Sequence, residues 1–284
     1  MSNAAEMSGA VRRLPWKGKK ELDFGHVAVE LCIPPELYER HSTVGHFILG
    51  KSRAMIEAMM DAVASISLRN IVDVGVYKGG SLVFLNEAFR PHRLVGIDAN
   101  PADIPPLREY CSAPAHAEHV AVYLGVNQAD RRALGNICHD AFGDEPIDLV
   151  VDDASHFYAE TRETFRALFP RLRPGGIYII EDWGWAHWPG ELWQKEKGGD
   201  YFRNKPPLSN LLVEIMLLCA SSPGFVRKVS FNDVVIYLER GPDPIAAEFE
   251  PSAHYFNRGD PVPKMSAPAA PFAFTNSTYV LKRP

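Results

Sequence analysis

Five short apolar runs constrain what this chain can become: IVDVG (71–75), LVGID (94–98), HVAVYLG (119–125), IDLVVDD (147–153) and GIYIIED (176–182). Between them, apolar residues recur at helical spacing over 81–89, about 129–138 and 158–172. Strands that are apolar on both faces and alternate with helices predict a parallel sheet, because helices on each side are needed to remove both faces from water. A further helix is predicted over 208–221, and FVRKVSF with VVIYLER reads as a hairpin around Asn232–Asp233. The expected fold class is therefore α/β: a doubly wound, seven-stranded, Rossmann-like sheet with a C-terminal antiparallel β-hairpin. Ligands of such sheets sit at the carboxyl ends of the strands, so the residues that end each run are the candidates for chemistry.

The flanking regions read differently. Residues 1–30 are expected to be a mobile, basic lead-in, 31–68 a helical cap, 69–240 the α/β domain, and 241–284 an extended tail rich in Pro and Ala, packed on the domain or on a neighbouring subunit. The cap should hold a short helix in IPPELYERHS and a longer one in KSRAMIEAMMDAVASI. Inside it, GHFILGKS (45–52) satisfies the phosphate-loop pattern G-x-x-x-x-G-K-[ST]. Such a loop must leave the end of a buried strand and wrap phosphates with its amides. The preceding ELYERHSTV predicts no buried strand, and the loop interior would be bulky and apolar. The segment is better read as a lead-in to the following helix, with Gly50 as a break and Ser52 as its cap.

Composition excludes several classes. A formal charge of −5 gives no electrostatic basis for nucleic acid or an anionic membrane as partner, and no apolar run approaches the roughly 20 residues that span a bilayer. Cys32, Cys111, Cys138 and Cys219 form no C-x-x-C pair, which predicts reduced thiols in a cytoplasmic protein. The Asn276 sequon then has no compartment in which to be used. The expected partner is a small molecule, and a homo-oligomer is left open.

The glycine loop is IVDVGVYKGGS, from Ile71 to Ser81. Its spacing, Gly75-x-x-x-Gly79-Gly80, is not the dinucleotide fingerprint. Asp73 would repel a pyrophosphate and suits a ligand with a cationic group. Asp98 ends the next strand, where a carboxylate can accept two hydrogen bonds from a ribose diol. The plain alternative is a strand–turn–helix with glycines for the bend. With Asp98 and the closing hairpin, the pattern resembles class I S-adenosylmethionine-dependent methyltransferases. That resemblance implies S-adenosylmethionine as cofactor, held by Asp73, Gly75, Tyr77, Gly79, Gly80, Ser81, Asp98 and Asp152. Asn127, Gln128 and Asp130 are candidates for the adenine-side rim, with helix capping as the alternative.

Asp153, Glu181 and Asp182 end the fourth and fifth runs, on strands expected to be neighbours about 4.8 Å apart. Carboxylates so close repel, and a hard cation such as Mg²⁺ resolves the repulsion. Alternatively, Asp153 or Ser155 caps a helix and the Glu-Asp pair is solvated. Consecutive strand residues point to opposite faces, so Glu181 and Asp182 can both serve one ion only if the strand has already turned.

The run VVDDASHFYAETRETFRALFPRLRPGGIYIIEDW resembles the metal-dependent O-methyltransferases of macrolide deoxysugars, the macrocin and mycinamicin family. The resemblance extends over roughly Ile71 to Trp188. It implies Asp153, Glu181 and Asp182 as magnesium ligands, His156 as catalytic base, and a sugar or other small natural product as acceptor. It makes 69–240 an S-adenosylmethionine-binding catalytic domain. Trp183, Trp185 and Trp188 read equally as a stacking surface or a packed lid, and His41 and His46 as solvated or capping residues. Two other functions remain open at this point: a cephalosporin hydroxylase-like enzyme on the same fold, and a non-catalytic cofactor-binding protein.

Overall fold

The computed structural model describes residues 13–189 and 205–258. The chain begins with four short strands, β1 (Trp16–Lys17), β2 (Glu21–Asp23), β3 (Ala28–Leu31) and β4 (His46–Leu49), with helix α1 (Glu36–Glu39) between the last two. They form a small sheet in that order, antiparallel except for the parallel pair β3–β4. Helix α2 (Arg53–Ala62) follows, capped by Ser52, whose hydroxyl accepts from the Met55 amide at 3.2 Å.

The main sheet is built from β5 (Asn70–Val74), β6 (Arg93–Asp98), β7 (Val120–Leu124), β8 (Ile147–Asp152), β9 (Leu172–Ile180), β10 (Val226–Phe231) and β11 (Ile236–Arg240). Its strand order is β10-β11-β9-β8-β5-β6-β7. Strands β5 to β9 pair in parallel, and β11 and β10 add antiparallel at one end. The connecting helices are α3 (Gly80–Phe89), α4 (Pro105–Ser112), α5 (Arg131–Phe142) and α6 (Tyr158–Leu168), while α7 (Ser209–Ser221) leads into the hairpin. The expected seven-stranded α/β sheet and C-terminal hairpin are thus present. Alternate strand residues feed two cores: Ile71, Leu94, Leu149, Ile177 and Ile179 on one side, Val72, Val95, Val150, Tyr178 and Ile180 on the other. No helix among the described residues is long and apolar enough to cross a membrane.

Several local expectations need correction. The lead-in expected to be mobile, 1–30, carries β1, β2 and most of β3. Residues 46–49 are strand rather than lead-in to a helix. The reason is burial: Leu22, Val29 and Phe47 are fully enclosed and join the core that also holds Phe84 of α3. Helix α4 was not predicted; it buries only Leu107 and Tyr110, too few to produce a visible period. The helix expected to run to residue 172 ends at Leu168, and β9 then begins at Leu172 rather than 176. The start of the expected tail is held down: Phe249 is buried against Phe165 and Phe169, and Arg162 bridges Glu214 of α7 and Glu250. Residues 259–284, with most of that tail and Asn276, lie outside the described residues, as do residues 1–12.

The small sheet is pressed onto the start of α3. A Cβ on Gly80 would run into the carbonyl oxygen of Ile48 in β4. Ser42 donates to the Lys78 carbonyl at 2.7 Å, and Lys78 Nζ donates to the Leu37 carbonyl at 2.6 Å. Gly80→Ala should therefore cost about 1–3 kcal/mol through overpacking. By contrast Gly135→Ala, in α5, where a Cβ would make only an ordinary contact with the Arg171 side chain, should be neutral or stabilising by up to about 1 kcal/mol. Urea unfolding of the two variants tests this; equal effects would mean that the contact with β4 is not tight.

Candidate active site

Register places the candidate residues. Val74 is level with Ile97, with Asp152 and, across β8, with Ile180. The next residues, Asp98, Gly75, Asp153 and Glu181, therefore stand in a row along the carboxyl edge of four adjacent strands. Backbone bonds fix that row: the Gly75 amide donates to the Ile97 carbonyl, Asp153 to Val74 and Glu181 to Asp152, at 2.8, 2.8 and 3.0 Å.

In the glycine loop, Asp73 is fully buried. Its Oδ2 accepts from Ser81 Oγ at 2.7 Å, and its Oδ1 has no hydrogen-bond partner. Burial pushes this carboxyl up to about 7, against the pull of Ser81 and Lys51. Gly75 and Gly79 have φ of 100° and 86°, which a side chain would strain. Tyr77, itself at φ 49°, donates its amide to Asp98 Oδ2 at 2.8 Å, and Asn100 donates to Oδ1 at 2.8 Å. Each Asp98 oxygen thus accepts one backbone bond and keeps capacity for another.

The rim candidates have internal partners. Asn127 Oδ1 accepts from the Ala129 amide and Asp130 caps α5 through the Ala133 amide. Gln128 is buried, donating to Thr164 Oγ1 at 2.9 Å and Asp152 Oδ1 at 3.3 Å, and accepting from the Ser155 amide. Asp152 also accepts from the Tyr178 hydroxyl at 3.1 Å, and burial pushes it up to about 7. Gln128, Asp152, Thr164 and Tyr178 form one enclosed polar network whose members each have a partner.

The acidic group divides in two. Asp153, His156 and Asp182 each offer one ligand atom, and these atoms lie within 4.8 Å of one another. His156 Nε2 is 3.9 Å from Asp153 Oδ1, and its Nδ1 is 3.4 Å from the Glu181 carbonyl. A proton on Nδ1 can point at that carbonyl, which leaves Nε2 facing the carboxylates. Trp185 stacks at a tilt 4.3 Å from the His156 ring and hydrogen-bonds the Asp182 side chain. Burial raises Asp182 above its ordinary range, against the pull of His156. Asp182 can share this site because β9 has ended and its φ is 56°: the alternation of the strand no longer applies. Trp183 donates to the Asn232 carbonyl at 2.8 Å and belongs to the packing of the hairpin.

On the other side of Asp153 lies a residue the sequence did not assign to this site. Lys51 Nζ donates to Asp153 Oδ2 at 2.7 Å and Glu181 Oε2 at 2.5 Å, with the Lys51 and Glu181 side chains each 2% exposed. Burial lowers Lys51, but the two carboxylates outweigh it and hold the ammonium above its ordinary range; burial pushes Glu181 up. The only signal for Lys51 was the GKS ending of the phosphate-loop pattern. In the structure the apolar interior of that pattern is strand β4, so no loop remains to wrap a phosphate.

Residues 72–183 match a methyltransferase domain. The mycinamicin VI 2''-O-methyltransferase of Micromonospora griseorubida is 58% identical over 125 residues, covering 42% of this chain and 28% of that protein. The demethylmacrocin O-methyltransferase of Streptomyces fradiae is 34% identical over 133 residues, 47% of this chain and 29% of that protein. The chain thus spans less than a third of the length of these two relatives. Among solved structures, the mycinamycin-pathway methyltransferase MycE, in complex with Mg, SAH and mycinamycin VI, superposes with a TM-score of 0.50. It shares 24% identity and covers 66% of this chain and 49% of that one, which shows the fold. The resemblance to macrocin- and mycinamicin-type sugar O-methyltransferases is therefore present in sequence, and the Rossmann-like methyltransferase fold in structure.

Asp73 offers a test of the buried edge. Unfolded, an aspartate titrates near 3.8; folded, Asp73 titrates near 7. Between about pH 4 and pH 7 the folded chain binds the extra proton, so stability falls as pH rises through that window, by at most about 1.4 kcal/mol per pH unit. Asp152 adds a similar slope. Asp73→Asn should remove one share of the decline and stabilise the ligand-free protein at neutral pH. Urea unfolding across this range checks it; an unchanged slope would place the charge of Asp73 elsewhere.

Proposed function

We propose that this chain is a metal-dependent O-methyltransferase that transfers the methyl group of S-adenosylmethionine to a hydroxyl of a sugar carried by a small natural product. The carrying observation is the single sheet edge that sets Asp98, Gly75 and Asp153 abreast, with Asp182 and His156 converging on Asp153. Relatives named as O-methyltransferases of mycinamicin VI and demethylmacrocin favour this acceptor class. We take 69–240 as the catalytic domain, and the free state of all four cysteines fits a reducing, cytoplasmic setting.

The residues fit the cofactor. The unpartnered buried oxygen of Asp73 suits a cationic ammonium, and the spare capacity of Asp98 suits a ribose diol. Gly75, Gly79 and the backbone of Tyr77 shape the loop between them. The residues also fit a divalent ion: Asp153 and Asp182 offer hard oxygens, with His156 beside them. Such an ion, when bound, lowers the pKa of an acceptor hydroxyl, and the sulfonium donor supplies an already activated methyl group. The chain's own work is on the acceptor. Asp153 and Asp182 would hold the ion. His156 Nε2 takes the hydroxyl proton as attack begins, held in orientation by the Glu181 carbonyl and the Trp185 ring.

Exhaustive chelation should abolish turnover, and Mg²⁺ should restore it. With a cofactor labelled in its methyl group, mass spectrometry of the product should show one labelled methyl. A gain of one oxygen would support a hydroxylase, and no change a non-catalytic binder.

His156→Ala should retain cofactor binding by calorimetry yet lose about 10²–10⁴-fold in turnover. Near wild-type turnover in that variant would pass proton removal to another group.

A further inference from the structure

Away from the carboxyl edge, a second group of metal-binding side chains converges where the small sheet meets α3. His26 in the turn between β2 and β3, Glu87 of α3 and His116 in the turn after α4 each offer one ligand atom, and these atoms lie within 4.8 Å of one another. His26 Nε2 is 3.1 Å and His116 Nε2 4.0 Å from the same oxygen, Glu87 Oε1. Glu87 is close to the C-terminal end of α3, and His116 comes shortly before the start of β7. The group therefore sits toward the amino edge of the main sheet, opposite the glycine loop and the acidic residues. We propose that His26, Glu87 and His116 form a Zn²⁺ site, separate from the candidate active site, that fastens the small sheet to the α/β domain.

The donor set selects the ion. Two imidazoles and one carboxylate suit zinc, whereas magnesium and calcium take oxygen ligands. With ligands about 2.0–2.2 Å from a four-coordinate zinc, neighbouring ligand atoms stand about 3.4 Å apart. The separations of 3.1 and 4.0 Å bracket that value, so small side-chain shifts admit the ion. A buried shell orients the ligands, as outer contacts of metal-bound histidines do. The Tyr110 ring stacks on His116 at 4.1 Å, and its hydroxyl donates to Glu87 Oε1 at 2.5 Å. The buried Asn86 amide lies 2.7 Å from the Tyr110 hydroxyl, 3.2 Å from His116 Nδ1 and 3.0 Å from His119 Nε2. With Asn86 Nδ2 toward His116, the ring proton sits on Nε2, the ligand atom. A half-turn of the amide reverses this. Oδ1 then accepts from His116 Nδ1–H and from Tyr110, Nδ2 donates to His119, and His116 Nε2 and Glu87 Oε1 are both released to the ion. Each polar group of the shell keeps a partner in either arrangement. Burial provides the way in: the Glu87 and His116 side chains are 7% and 11% exposed, while His26, at 60%, closes the site from the solvent side.

Zn²⁺ titration of the full chain against a chromophoric chelator, read as equivalents bound, tests the site without turnover. Asp182→Asn is the control, because Asp153, His156 and Asp182 could take the same ion. The wild type should bind one equivalent that Asp182→Asn retains and that His26→Gln and Glu87→Gln each weaken by about a hundredfold. Joining His26 to Glu87 ties residues 61 positions apart, so the same equivalent should raise the melting temperature of the wild type and of Asp182→Asn, but not of His26→Gln. Because His26 is exposed, His26→Gln decides even where Glu87→Gln fails to fold. Zn²⁺ uptake by His26→Gln equal to that of the wild type would overturn the proposal, as would the loss of every equivalent in folded Asp182→Asn.

Discussion

The charge of Lys51 sits in the protein interior, and its two carboxylate partners make that tolerable. An ammonium without partners at 2% exposure would lose several kcal/mol of hydration; between Asp153 and Glu181 the loss is offset by two short charge-assisted bonds. Removing one member of such a group is far more damaging than never having had it, by about 3–5 kcal/mol. The ion pair therefore does more than fill space. It fixes the N-terminal sheet to the ends of β8 and β9, more than a hundred residues away in the chain, and sets which carboxylate oxygens remain free.

Other contacts depend on the same docking. Gly80 admits the backbone of β4 against the first turn of α3, and the Lys78 side chain reaches back to the carbonyls of Leu37 and Arg40. The second glycine of the loop thus serves the packing of the small sheet, whatever Gly75 and Gly79 do for a ligand. Around the open side, Tyr77, His156 and Asp182 all adopt left-handed backbone conformations that non-glycine residues avoid. Each lies just beyond the end of a strand of the main sheet. Local strain of this kind persists where surrounding structure enforces it, and it is common at functional sites.

Most of the main sheet was legible because its signals are local. Four buried strands and the half-buried edge strand β7 each present a run of apolar residues, and helices lie between them. Once their order is set, Asp98, Asp153 and Glu181 must come to one edge, since register between parallel strands follows from burial on both faces. The small sheet had no such signal. Its strands of two to four residues are too short to show a period, and β3 pairs with β4 across a connection that includes α1.

The sequence by itself determined that acids gather at the carboxyl edge of a doubly wound sheet, because residue type and strand position are written in the chain. Only the tertiary structure decided what each acid does. Gln128 and Asp152 turn into an enclosed network, Asp182 swings toward His156 through a positive φ, and Lys51 arrives from the loop after β4 to pair with Glu181. The physical reason is that hydrogen bonds and charge pairs act between atoms a few ångströms apart in space. A spacing along the chain fixes such distances only within one helix or strand, and these partners come from different ones.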